Sequence, residues 1–99
     1  MESQLTSAER KELRGKAHEL KPLIQIGKGL LNAGLLEEVR QALEHHELIK
    51  VKFLEGKDEK NELGGQLAKD TDSHVVGLIG NMLILYRQRP IENATGDDD

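Results

Sequence analysis

The sequence predicts an α/β domain, a mixed four-stranded sheet covered by helices in the order α-β-α-β-α-β-β. Three observations favour it. Apolar residues recur at helical spacing in three segments, two short runs suit strands, and a glycine–asparagine pair joins two further apolar runs. Helices between strands imply crossovers and parallel pairs, and the final hairpin adds an antiparallel pair. The 99 residues suffice for one core, so we predict a single domain over residues 1–91.

The N-terminal part predicts a helix followed by a buried strand. Thr6 and Glu9 form a capping-box pattern, and apolar residues then recur at helical spacing: Leu13, Ala17 and Leu20. The helix is expected over residues 6–20 and is ended by Pro22, which cannot continue it. The short apolar run 23–26 between Pro22 and a glycine then suits a buried strand.

The rest of the chain continues to alternate between predicted helices and predicted strands. Asn32 is a good N-cap for a helix that runs to about His46, and ELIKVKF (residues 47–53) alternates as a half-buried strand does. A third helix is expected over residues 58–70, although two glycines lie in its interior. The apolar runs HVVGLIG and MLILYR meet at Gly80-Asn81, a pair that suits a tight hairpin.

Composition excludes several classes of protein. The chain has no cysteine, which excludes disulfides and thiolate metal sites. The N-terminus has no apolar signal-peptide region, and no stretch approaches the roughly 20 apolar residues that span a bilayer, so we expect a cytoplasmic protein without a membrane partner. The net charge of −4 is uneven: residues 10–28 hold six bases and two acids. Residues 92–99 are acidic and are predicted to form a disordered tail.

The segment Gly27-Lys28-Gly29 is the most informative for function. It lacks the hydroxyl residue of a phosphate-binding P-loop and the third glycine of a dinucleotide fingerprint. A glycine-rich turn ahead of a helix nevertheless presents free backbone N–H groups and the positive end of the helix dipole. Lys28 adds a charge, so the turn suits a phosphate. The alternative is a tight strand-to-helix turn with a solvated lysine.

Two long runs, GKGLLNAGLLEEVRQALEHHELIKVKF and HVVGLIGNMLILYR, resemble the CRM domain in its bacterial single-domain YhbY-like form. The resemblance covers about residues 5–87. It implies a fold similar to the C-terminal domain of bacterial translation initiation factor three. It also implies RNA binding, and association with precursors of the large ribosomal subunit as a non-catalytic assembly factor.

The chain departs from the family at one position. The family's loop after the first strand usually reads G-x-x-G, likened to the clamping loop of KH domains, and Leu30 stands where the second glycine belongs. A second match to this pattern, Gly77-Leu78-Ile79-Gly80, lacks a basic residue and does not open a helix. We therefore interpret it as strand and turn.

The candidate RNA-binding residues combine this loop with basic side chains. They are Gly27, Lys28, Gly29, Asn32, Lys16, Lys21, Lys50, Lys52 and Arg87. Arg14 and Arg89 could extend the surface, and each lysine could equally be a solvated surface charge. Phe53 is expected in the core and Tyr86 could expose its hydroxyl, so a platform of stacked bases is not indicated.

No catalytic or metal site is indicated. The four histidines include no H-E-x-x-H pair, and His45 and His46 are expected at a helix end. We expect no enzyme activity, no cofactor, no small-molecule substrate and a monomer with RNA as its partner. The alternative is a protein-interaction module that docks on a ribosomal or assembly protein, for which the acidic tail could be the relevant segment.

Overall fold

The computed structural model describes residues 5–88 and contains the seven expected elements in the expected order. They are α1 (Ser7–Ala17), β1 (Ile24–Ile26), α2 (Ala33–His46), β2 (Leu48–Phe53), α3 (Lys60–Asp70), β3 (His74–Ile79) and β4 (Met82–Tyr86). A short 3-10 turn, Lys57–Glu59, precedes α3. Arg89 and the predicted tail lie outside the described residues.

The four strands form one mixed sheet in the order β1-β2-β4-β3. β1 and β2 are parallel, and β4 lies antiparallel to both β2 and β3. The expectation of a second parallel pair was wrong, because β4 lies between β2 and β3. The two apolar faces of β4 explain this central place: Leu83, Ile84 and Leu85 are all buried, and a strand buried on both sides belongs in the middle of a sheet.

Helices lie on both faces of the sheet, which gives three layers. α2 and α3 cover the face that carries Ile49, Val51 and Phe53, and these strand residues belong to the main core. α1 covers part of the other face, where Ala17 packs with Val76 and Ile84 in a second, smaller core. The alternation of β2 therefore divides its side chains between α2 and α3 on one side and α1 on the other.

α1 begins as predicted and ends early. The Thr6 amide donates to Glu9 Oε1 at 2.8 Å and the Glu9 amide donates to Thr6 Oγ1 at 3.1 Å, which completes the capping box. The helix ends at Ala17 rather than at residue 20. Leu23, expected in a buried strand, is 52% exposed because β1 starts one residue later and α1 does not extend over it.

Glycine is present in α3 and in the hairpin for two different structural reasons. Gly64 packs under Leu83, and a Cβ there would lie 3.0 Å from Leu83 Cδ1. Gly80 has φ +60° in the two-residue turn between β3 and β4, a conformation that favours glycine. Gly77 lies in β3, so the interpretation of Gly77–Gly80 as strand and turn is confirmed.

Candidate nucleic-acid interface

The loop after β1 turns sharply and faces solvent. The Leu30 amide donates to the Gly27 carbonyl oxygen at 2.9 Å, which closes a tight turn around Lys28 and Gly29. Both central residues are exposed. Leu30 has φ +52°, which is the left-handed region that glycine occupies without strain. The turn therefore keeps the backbone that a glycine at position 30 would adopt, although a leucine stands there.

Asn32 fixes the start of α2 and the shape of the loop. Its Oδ1 accepts from the Leu35 amide at 2.8 Å, so the predicted N-cap is confirmed. The same side chain crosses Gly29, where an added Cβ would overlap the Asn32 amide nitrogen. Any larger residue at position 29 would therefore have to displace the capping amide of Asn32.

Around this corner, the backbone amides of Lys28, Gly29, Ala33 and Gly34 are among those with no acceptor within residues 5–88. The first turn of α2 contains no acidic side chain, and the Glu37 carboxylate in the next turn accepts from Gln41 and pairs with Arg40 at 3.6 Å. The corner therefore offers unpaired donors and the positive end of a helix dipole to an anion.

Lys50 and Lys52 lie on the α1 side of the sheet. They alternate with the buried residues of β2, and both are half-buried. Lys52 is paired across the sheet with Gln25, which lies two residues before the loop. At about 3.3 Å per strand residue, Gln25 is therefore about two residue steps along β1 from Gly27. Lys50 Nζ donates to the Leu20 carbonyl oxygen at 3.0 Å and so holds the chain that follows α1.

The other predicted residues lie further from the loop. Lys16 is exposed and pairs with Glu12 at 3.9 Å, an exposed pair that contributes little, and Lys21 is exposed in the connection after α1. Arg87 follows the end of β4, opposite the loop end of the sheet. Its guanidinium donates to the Thr71 carbonyl oxygen at 3.0 Å and to that of Arg40 at 3.4 Å, so it joins the C-terminal end of α3 to the middle of α2.

The charge is divided between the two faces of the sheet. Residues 7–21 together with Lys50 and Lys52, on the α1 side, carry seven bases and three acids. Residues 33–47 and 57–72, on the α2 and α3 side and its turns, carry four bases and nine acids. A polyanion is therefore attracted to the α1 side and repelled from the other.

Two further basic residues, Arg14 and Lys60, contact β3 and the hairpin. Arg14 crosses Gly77, where an added Cβ would lie 3.0 Å from Arg14 Cδ, and its guanidinium reaches the Val76 carbonyl oxygen at 3.5 Å. Lys60 Nζ donates to the Gly80 carbonyl oxygen at 2.7 Å, which places this lysine at the hairpin near the loop end of the sheet. Its approach to the hairpin is a tertiary contact without a local sequence signal.

One carboxylate flanks the loop. The Glu55 amide donates to the Ile26 carbonyl oxygen at 3.1 Å, and the side chain is exposed beside the turn.

At the opposite end of the sheet, burial raises the pKa of Tyr86 above its usual value, and the carboxylates of Glu47 and Glu9 raise it further. Tyr86 therefore stays neutral at physiological pH. Phe53 is fully buried, which confirms its place in the core.

Within residues 5–88, no group of three histidine or carboxylate side chains is arranged to hold a metal ion. No helix in the same part of the chain has the length and apolar character needed to cross a bilayer.

The fold and the loop together define a class of small α/β domain in which a glycine-containing turn opens onto a capped helix. The family model of the CRS1/YhbY (CRM) domain matches residues 5–87, and the chain belongs to this family. The resemblance in the sequence is thereby confirmed.

Relatives and a solved structure agree with this assignment. The chain is 40% identical over 85 residues to the "Probable RNA-binding protein YqeI" of Bacillus subtilis, covering 85% of this chain and 88% of that protein. It is 38% identical over 91 residues to an "RNA-binding protein" of Haemophilus influenzae, covering 91% and 90%. The solution structure of Staphylococcus aureus SAV1595, described as a candidate RNA-binding protein, matches with a TM-score of 0.78 and 39% identity over 88% and 92% of the two chains.

Proposed function

We propose that this protein binds RNA through its phosphates and acts, without catalysis, in assembly of the large ribosomal subunit. The observation that carries the proposal is the exposed Gly27-Lys28-Gly29 turn with its unpaired amides, next to the basic side of the sheet. The names of the relatives support RNA as the ligand. The ribosomal part of the proposal rests on the resemblance to the YhbY-like proteins.

Each part of the surface has a separate role in this proposal. The turn and the N-terminus of α2 hold one phosphate by backbone donors and by Lys28. Lys50 and Lys52 supply the adjoining positive field, and Lys16 and Lys21 extend it along the chain after α1. Arg87 contributes least, because its guanidinium already binds two backbone carbonyl oxygens.

Replacement of Lys28 tests the proposal. Lys28→Glu puts a carboxylate at the turn and should weaken RNA binding at least tenfold, since it removes one phosphate contact and adds repulsion. Lys69→Glu is the matched control: it makes the same change of charge on an exposed lysine of α3, on the other side of the sheet. Affinity is measured by fluorescence anisotropy with ribosomal RNA fragments, and folding by circular dichroism.

The control variant should bind like the unmodified protein. Equal affinity for Lys28→Glu and the unmodified protein would remove the loop from the interface. Equal weakening by both variants would mean that only the net charge of the protein matters.

The alternative function is docking on a ribosomal or assembly protein through the acidic C-terminal residues. Deletion of residues 92–99 separates the two. RNA binding through phosphates should hold or strengthen, because four negative charges are removed, whereas docking through the tail should be lost. Co-sedimentation of both forms with precursor large subunits gives the second measurement.

A further inference from the structure

In the part of the chain that the structure describes, residues 5–88, one half of the sheet face beside α1 has no helix over it. Cross-strand pairing aligns four residues there in one row, from the edge strand β3 to the edge strand β1: Ile79, Met82, Lys52 and Gln25. We call this row the open half-face. Ile79 is 60% exposed, Gln25 is exposed, and Met82 and Lys52 are half-buried.

The position of α1 explains why this half is uncovered. α1 packs on the other end of the same face, where its residues meet Val76, Ile84 and Tyr86. Arg14 lies over Gly77 at the border between the two halves. Ile79 lies opposite Met82 in the uncovered half and is 60% exposed.

The open half-face leads into the phosphate-binding loop proposed above. Gln25 is its last residue on β1 and lies two positions before Gly27. Lys52 is the only charged residue of the row, and Lys50 follows in the next row beside the exposed Leu23. An occupant that reaches from the loop across this row therefore meets positive charge at the β1 side and apolar surface at the β3 side.

We propose that the open half-face binds unpaired bases of a single-stranded RNA segment whose phosphates are held by Lys28 and Lys52. This proposal rests on the proposed RNA binding and names the form of the RNA. In a duplex the bases are stacked inside and only backbone and groove edges are accessible, whereas unpaired bases turn their apolar faces outward. The two aromatic residues lie in the core and under α1, so the contact is aliphatic packing on bases rather than aromatic stacking.

A pair of isosteric variants isolates the apolar contact. Ile79→Val and Ile79→Thr have nearly the same shape and the same β-branched preference for strands, and they differ by a methyl against a hydroxyl group. Both leave every charge in place. Three labelled ligands are compared by anisotropy: an unstructured RNA oligonucleotide, the same oligonucleotide annealed to its complement, and an abasic strand with the same number of phosphates.

The unmodified protein and Ile79→Val should bind the unstructured oligonucleotide more tightly than the duplex or the abasic strand. Relative to Ile79→Val, Ile79→Thr should lose about fourfold on the unstructured oligonucleotide, the effect expected for one methyl-sized apolar contact, and nothing on the other two ligands. Identical binding of the two variants to the unstructured oligonucleotide would overturn the proposal. Equal affinity of the unmodified protein for the oligonucleotide and its duplex would overturn it as well.

These results separate the two levels of proposal. If Ile79→Thr has no effect while Lys28→Glu still weakens binding, the open half-face is not a base site and the phosphate-binding function stands. If the unmodified protein binds none of the three ligands, both proposals fail.

Discussion

Leu30 is the residue at which this chain departs most clearly from its family's loop. The turn gives it a left-handed backbone, with φ +52°, although glycine adopts that conformation at lower cost. The leucine side chain is half-buried, packs on the main core, and lies against the turn at Gly56. The chain thus combines a strained backbone with an apolar contact that a glycine would lack.

This combination predicts that glycine at position 30 is more stabilising than alanine, the reverse of their usual order. Leu30→Ala loses the apolar packing and keeps the left-handed strain, whereas Leu30→Gly loses the packing and relieves the strain. The glycine variant should therefore be about 1 kcal/mol more stable than the alanine variant. Urea unfolding followed by circular dichroism measures the difference. An alanine variant that is the more stable of the two would show that the turn is not left-handed at this residue.

At the scale of elements, α3 contains two adjacent glycines in its interior and is nevertheless helical. The sequence predicted a helix through Gly64 and Gly65, and it is present. The two glycines have different surroundings: Gly64 is buried under Leu83, whereas a Cβ at Gly65 would have no neighbour within 4 Å. The first glycine permits close packing of α3 on β4, and the second has no packing reason.

This difference predicts opposite responses to alanine. Gly65→Ala should stabilise the protein by roughly 0.5–1 kcal/mol, because alanine loses less backbone entropy in a helix interior. Gly64→Ala gains the same helical term but must displace Leu83, so it should gain less or destabilise. Thermal and urea unfolding of both variants give the comparison. An equal gain at the two positions would mean that Leu83 yields without cost.

At the scale of the whole molecule, the separation of charge between the two faces matters more than the net charge of −4. The acids of α2 and α3 lie behind the sheet as seen from the lysines of β2. A chain that is acidic overall therefore retains a surface suited to a polyanion, because local potentials rather than the total guide association.

The whole-surface property to measure is the dependence of RNA affinity on salt. If about four phosphates are contacted, log K should fall against log salt with a slope near −3, at roughly −0.7 per phosphate on a single strand. Lys28→Glu should make the slope shallower by about 0.7, whereas Lys69→Glu should leave it unchanged. An affinity that does not respond to salt would contradict binding through phosphates.

The sequence by itself determined the secondary-structure elements and the position of the glycine–lysine turn that is proposed to bind phosphate. Capping at Thr6 and Asn32, the alternation of β2 and the Gly80-Asn81 hairpin are local in cause, because the groups that stabilise them lie a few residues apart. The glycine–lysine loop follows from the same kind of local pattern.

Only the tertiary structure decided which residues share a surface. It placed β4 between β2 and β3, turned Arg87 toward the C-terminal end of α3 and the middle of α2, and left Leu23 and Ile79 exposed. These outcomes depend on contacts between residues far apart in the chain. Periodicity shows that a residue faces a side of its own element but not whether another element covers that side.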